Sequence, residues 1–225
     1  MDLLTEGRFI FGVGVGGEFP KEYEACGIPI NERGARLGES IEVMRKLWTG
    51  QPVSHEGRFF TFKDVKMEPA PRQSGGPPIW CGGRKEPALA RAGRVGDGWI
   101  AYAVTPEMFA QGLKVIEAAA IQAERRVEHF GTANVMFCRV GDSYEQALAE
   151  CAQSLSVRYG MDMAPAVKRY GAIGRPQDVA AKIREYHAAG VRHIVLDLAG
   201  PYENRDQQLE RFAGEVRPLL KDVMM

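Results

Sequence analysis

Apolar residues fall along this chain in two rhythms. Dense short runs recur as RFIFGV (8–13), PIWCGG (78–83), DGWIAYAV (97–104), NVMFCRV (134–140) and HIVLDL (193–198). Each is rich in β-branched or aromatic residues and bounded by glycine, proline or polar positions, which predicts a buried strand. Between them the apolar positions return every three or four residues, the helical period. Leu37, Ile41, Met44 and Trp48 share one face of a helix predicted from Arg33 to Trp48, and Gly50 stops it. A small-residue helix over 86–94 turns Ala88, Leu89 and Ala92 inward. Thr105 is placed to cap a long helix opening at Pro106, with Phe109, Leu113, Ile116 and Ala120 inside. Ser143 and Gln146 form a candidate capping box for a helix burying Tyr144, Leu148, Cys151 and Leu155. A further helix over 174–190 has Pro176 in its first turn and Gly190 at its end. A last amphipathic helix carries Leu209, Phe212, Val216 and Leu219.

Apolar strands alternating with helices predict an α/β fold in which helices cover a parallel sheet. The pattern leaves two arrangements open, a doubly wound sheet and a (β/α) barrel. Residues 51–77 break it with short alternating pieces around GRFFTF and several prolines, which predicts an inserted hairpin. The whole chain, 1–225, reads as one domain with that insertion.

Composition narrows the partners. Formal net charge is zero and the pI is about 6.9, so no basic stripe recommends a nucleic acid or an anionic membrane. No apolar run reaches the ~20 residues of a membrane span, and MDLLTEG does not read as a signal peptide. The cytoplasm is the expected compartment. Cys26, Cys81, Cys138 and Cys151 form no C-x-x-C pair, and buried reduced thiols are expected. His55, His129, His187 and His193 lack metal-ligand spacing, so structural roles and no metal are expected.

Two glycine-rich stretches carry candidate chemistry. GVGVGG (12–17) spells G-x-G-x-x-G. In a dinucleotide-binding turn the third glycine opens a helix, and an acidic strand end follows about 20 residues on. Here Pro20 and the Gly27–Pro29 segment postpone the main helix, and no such strand follows. What remains is a strand end turning on small residues, which admits a flat ligand or another backbone; a tight turn without ligand is the equal alternative. The second stretch runs strand, Gly82-Gly83, helix. Glycines at a helix start free N–H donors in a partly positive field, a phosphate-binding arrangement that Arg84 and Lys85 reinforce. The bland alternative is a loop with two solvated cations. No Ser-His-Asp set, H-E-x-x-H or Walker loop is present. A phosphate loop without protein nucleophiles or metal ligands suggests a cofactor enzyme.

From GRFIFGVGVGGEFPKEYEACGIPINERGARLGESIEVMRKLWTG through PPIWCGGRKEPALARAGRVGDGWI, and again at GRPQDVAAKI and GVRHIVLDL, the chain resembles the bacterial luciferase-like monooxygenases. The resemblance implies a TIM-type barrel with an inserted segment, bound FMN or deazaflavin coenzyme F-420, and oxidoreductase chemistry on a small organic substrate. In many members that chemistry is oxygenation with O₂ and reduced flavin. By position it assigns Gly82, Gly83, Arg84 and Lys85 to the cofactor phosphate and Gly14, Val15 and Gly16 to the ring system. Glu18 and Tyr102 are candidates for the pocket wall, and no catalytic residue is assigned. About three βα units that precede this turn in the family have no counterpart here. About five core strands, against a barrel's eight, predict an incomplete or rearranged barrel whose open edge a second copy covers, as a homodimer. A cofactor-binding protein without turnover, and a fragment with no site, are the alternatives.

Overall fold

All five predicted strands form, and within each unit their pairings are parallel. The computed structural model describes residues 1–17 and 19–223, so the candidate Glu18 lies outside the described residues. By contacts the chain divides into two units, Met1–Ile100 with Val115–Gly131 and Ala101–Lys114 with Thr132–Met225.

The first unit contains β1 (Phe11–Val13), α1 (Pro20–Ala25), α2 (Arg33–Leu47), β2 (Val53–Glu56), β3 (Thr61–Val65), β4 (Ile79–Gly82), α3 (Glu86–Val95) and most of β5 (Gly98–Tyr102). β4 lies between β1 and β5, with Phe11 opposite Ile79 and Cys81 opposite Trp99. Ile41, Ile79, Cys81, Leu89, Ala92 and Trp99 are buried. Asp97 locks the strand starts to α2: its Oδ2 accepts from the Ile79 N–H at 2.9 Å and from Arg45 Nη2 at 2.7 Å. β1 departs from the buried strand that RFIFGV predicts. It is three residues long with none buried, and Ile10 before it is 44% exposed. β4 is its one strand partner among the described residues, so apolar content exceeds what one neighbour covers.

The insertion is the expected antiparallel hairpin of β2 and β3. Glu39 of α2 anchors it. Its carboxylate accepts from the Phe59 and Phe60 N–H groups at 3.0 and 2.8 Å and lies 3.3 Å from His55 Nε2. Lys46 Nζ sits 3.0 Å from the other ring nitrogen, so buried His55 is a structural strut, as its spacing suggested.

The second unit contains the start of α4 (Pro106–Gln122), then β6 (Gly131–Val140), α5 (Tyr144–Tyr159), α6 (Ala164–Tyr170), β7 (Ala172–Gly174), α7 (Pro176–Ala188), β8 (His193–Leu198) and α8 (Arg205–Arg211). β8 pairs in parallel with β6 from Ala133 opposite His193 to Cys138 opposite Leu198. β7 pairs with the last residues of β6, Cys138 to Val140. At three residues β7 is too short for a period-two pattern to announce. Phe137, Cys151, Leu155, Val167 and Ile173 form one cluster, and each large side chain buried there contributes about 1.5–3 kcal/mol.

Helix faces needed correction more than helix positions did. Half of the capping box forms: Ser143 Oγ accepts from the Gln146 N–H at 3.2 Å, but the Gln146 amide donates to Glu150 Oε1 instead of returning. Tyr144 is 40% exposed, and Ala147 and Ala152 take the interior places. The last helix is not one rod. After Arg211 it widens into a π turn over Phe212–Val216 and tightens to 3₁₀ over Arg217–Leu220, where Pro218 denies an N–H. The wider turn rotates the face, so Leu209 is 50% exposed while Gln208 is buried. The Gln208 amide pairs with the Val140 N–H and C=O at 2.9 and 3.0 Å, extending the β6 ladder with a side chain.

Candidate functional site

The C-terminal ends of parallel strands are where α/β folds place ligands. In the first unit those ends belong to β1 and β4, and the register sets their loops side by side. A Cβ on Gly82 would stand 3.3 Å from the Val13 carbonyl oxygen and 3.9 Å from the Gly14 Cα. The two glycine stretches of the sequence are therefore one backbone surface. Gly83 turns at φ +119°, and a Cβ there would reach 2.6 Å from Ala88 Cβ. Its carbonyl is fixed from below by Trp99, buried on β5, whose Nε1 donates to it at 2.7 Å. α3 then starts at Glu86 without a side-chain cap and with a proline in its first turn. Pro87 has no N–H and the Ala88 N–H donates to the Lys85 carbonyl at 2.9 Å, so of the first three helical residues it is Glu86 whose N–H is left for an anion or water. Arg84 and Lys85 are exposed beside them. This donor set, glycine backbone plus two cations, fits a phosphate group.

The β1 loop is held by a different device. Tyr23 Oη lies 2.9 Å from the Val15 carbonyl and 2.7 Å from the Gly17 carbonyl. Arg33 Nη1 donates to the same Gly17 carbonyl and to Tyr23 Oη, at 3.2 and 3.1 Å. Gly16, at φ +89°, leaves room for that phenol, which a Cβ would approach to 2.7 Å. Of the seven predicted positions the structure sets Gly82 against Gly14; Val15 and Gly16 follow Gly14 on one loop, and Gly83, Arg84 and Lys85 follow Gly82 on the other. The sequence reading missed their supports, Tyr23, Arg33 and Trp99. A tyrosine and an arginine six and sixteen residues beyond a glycine turn carry no local signal; Trp99 stood in a strand run and passed as core.

In the second unit the strand-end groups are side chains. Tyr102 closes β5, and its hydroxyl lies 2.6 Å from that of Tyr159, the last residue of α5. The Tyr102 ring stands edge-on to Phe137, 5.5 Å between centroids. Nearby, Arg158 Nη1 donates to Asp197 Oδ2 of β8 at 2.7 Å. Burial, then the hydrogen bond with Tyr159, pushes the Tyr102 phenol well above its ordinary range. It therefore remains a neutral donor at physiological pH. More than two turns back along α5, Glu150 pairs with Nε and Nη2 of buried Arg139 of β6. Of the two pocket candidates, Tyr102 is thus placed at a strand end.

A cavity of about 490 Å³ also opens in the first unit, lined by Ile41, Arg45, Lys46, Arg94 and Arg125 among others. It lies at the C-terminal turns of α2 and α3, where helix carbonyls repel anions. Arg125 Nη1 caps the Gly93 and Gly96 carbonyls at 2.9 Å, and Arg45 caps Val95 at 3.0 Å. Its cations are largely spent on capping, so volume alone does not mark the site.

Comparison with known proteins points the same way. The model of the luciferase-like monooxygenase family matches residues 1–193. An F420-dependent glucose-6-phosphate dehydrogenase of Amycolatopsis mediterranei is 30% identical over 246 residues, spanning 98% of this chain and 72% of that protein. The crystal structure of the monooxygenase RslO1 from Streptomyces bottropensis superposes with a TM-score of 0.80 at 24% identity, covering 96% of this chain and 70% of that one. The coenzyme F420 dependent tetrahydromethanopterin reductase of Methanopyrus kandleri gives 0.78 at 20% identity, covering 97% and 76%.

Proposed function

The chain belongs to the luciferase-like monooxygenase family, and from that premise we propose that it is an oxidoreductase that binds FMN or the deazaflavin F-420 and acts on a small organic substrate. The observation that carries this reading is the loop at Gly82 to Lys85. An uncapped helix start, two glycines and two exposed cations meet at the end of β4. In this reading the Glu86 N–H that opens α3, the glycine backbone before it and the Arg84 and Lys85 side chains hold the cofactor phosphate. Gly14, Val15 and Gly16 give the ring system a surface to lie against in which Val15 carries the one side chain. When bound, the cofactor supplies the redox chemistry, by hydride transfer or by reaction of its reduced form with O₂. The protein's part in the first unit is to fix the phosphate and keep the loops rigid through Tyr23, Arg33 and Trp99.

Absorbance titration with FMN and with F-420 tests this. Saturable spectral change with one of them is expected, weakened about 2–5-fold in Lys85→Ala, the worth of one solvent-exposed charge pair with a phosphate. No spectral change with either cofactor overturns the reading. A homodimer is part of the proposal, because the outer edge of β1 has no strand partner among the described residues and Ile10 is exposed beside it. Sedimentation at micromolar concentration reads that out.

A further inference from the structure

We infer that the Tyr102–Tyr159 hydroxyl pair is a recognition site for an uncharged oxygen acceptor, a ketone or alcohol oxygen on the substrate. The argument is a count of protons. Two phenols carry two O–H protons and 2.6 Å between their oxygens accommodates one of them. The second proton has no acceptor among the described residues. Whichever phenol donates inward, the other has an O–H left to donate outward.

The surroundings make that donor directional and select its partner. The Tyr102 ring is fixed edge-on against Phe137, which is buried. Tyr159 is set by the end of α5, whose preceding residue, Arg158, is tied to Asp197. Both phenols are half-buried, so a ligand can reach them while bulk water is partly excluded. The nearest cation, Arg158, is already engaged by a carboxylate at 2.7 Å. A carboxylate or phosphate ligand would meet no free positive charge and would face Asp197. A neutral carbonyl or hydroxyl oxygen gains a hydrogen bond without that repulsion. Selectivity for neutral oxygen over anionic oxygen follows from the pair and its neighbour together.

The inference rests on the oxidoreductase reading for calling the ligand a substrate; the binding is tested without cofactor. The protein is prepared with its seven tyrosines ring-labelled with ¹³C, and Tyr102→Phe and Tyr159→Phe assign the two resonances. Cyclohexanone and cyclohexanecarboxylate, alike in ring, are titrated separately. Cyclohexanone is expected to shift both resonances saturably, to bind either single variant within about twofold because the remaining phenol still has its O–H to donate, and, by saturation-transfer NMR on the ligand, to bind about 3–10-fold more weakly to the double variant Tyr102→Phe/Tyr159→Phe, the worth of one neutral hydrogen bond. Cyclohexanecarboxylate is expected to bind at least tenfold more weakly than cyclohexanone. The inference falls if cyclohexanone leaves the pair unmoved, if the double variant binds it as well as wild type does, or if the carboxylate binds as tightly. The five other tyrosine resonances report whether a variant keeps its fold, and the comparison of the two ligands on the wild type stands if the double variant does not fold. A protein that ignores FMN and F-420 but passes this test loses the cofactor reading and keeps this one.

Discussion

At the end of β4 the chain presents backbone N–H groups, two glycines and two exposed cations; at the ends of β5 and β8 it presents two phenols and an ion pair. The first surface is built from one stretch of chain and its immediate neighbour. The second is built from residues 57 and 39 positions apart. A backbone-built site fails when a side chain is added to it. A site built from side chains fails when the elements carrying them move. Substitutions that separate these two modes of failure test whether the difference is real.

The largest effect is expected at Glu150. Its carboxylate pairs with Arg139, whose side chain is 4% exposed, and so ties α5 to β6. Glu150→Ala leaves that guanidinium without an acceptor. Loss of one partner of a buried pair costs 3–5 kcal/mol, reduced here to about 2–4 because Glu150 is itself 30% exposed. Urea denaturation measures it. Cyclohexanone binding at the tyrosine pair should weaken with α5 loosened, while FMN or F-420 affinity stays within about twofold. Equal losses in both assays would erase the distinction between the two regions. The loss also depends on pH. Burial raises the Glu150 carboxyl, but the Gln146 amide and the Arg139 guanidinium outweigh it and hold the group below its ordinary value. A depressed carboxyl stabilises the fold above the unfolded pKa of about 4.3 and loses that contribution as pH falls below it. The gap between wild type and Glu150→Ala should be full near neutrality and narrow as the solution is acidified through and below about pH 4.

Gly83→Ala is the counterpart in the first region. The substitution forces a side chain onto φ +119° and against Ala88 Cβ at 2.6 Å, a strain of about 1–3 kcal/mol. Cofactor affinity should fall at least tenfold, and cyclohexanone binding should not change. Trp99→Phe is milder. It removes the donor that holds the Gly83 carbonyl at 2.7 Å and leaves that acceptor unpaired, for about 1–2 kcal/mol. A loop less firmly held should bind cofactor a few-fold more weakly. Unchanged affinity would show that Trp99 serves the core alone.

The same division explains what could be read from the chain before its fold was known. Gly82, Gly83, Arg84 and Lys85 were legible because strand, glycines and helix start are consecutive, and the donors they free are consequences of local geometry. That Gly14 lies against Gly82 was not, because it depends on the parallel register of β1 with β4 across 65 intervening residues of helix and hairpin. Tyr159 was invisible for the same reason. Its neighbour in sequence is Arg158, and its partner is a strand end fixed by other contacts. Helix positions were legible from period and caps, while helix faces slipped where backbone geometry changed, as in the π turn after Arg211 that buries Gln208 and exposes Leu209.

The smallest expected effect on stability gives the sharpest view of the first region. Gly14 is exposed, and a Cβ added there would meet nothing within 4 Å. Gly14→Ala should therefore leave unfolding within about 0.5 kcal/mol of wild type. In the reading of β1 as the floor beneath a flat ring, that methyl occupies the space the ring needs, and FMN or F-420 affinity should drop about tenfold with the fold untouched. An unchanged affinity would mean that GVGVGG is a tight turn with no ligand above it. The phosphate loop would then stand alone, and the ring system would have to lie against some other surface.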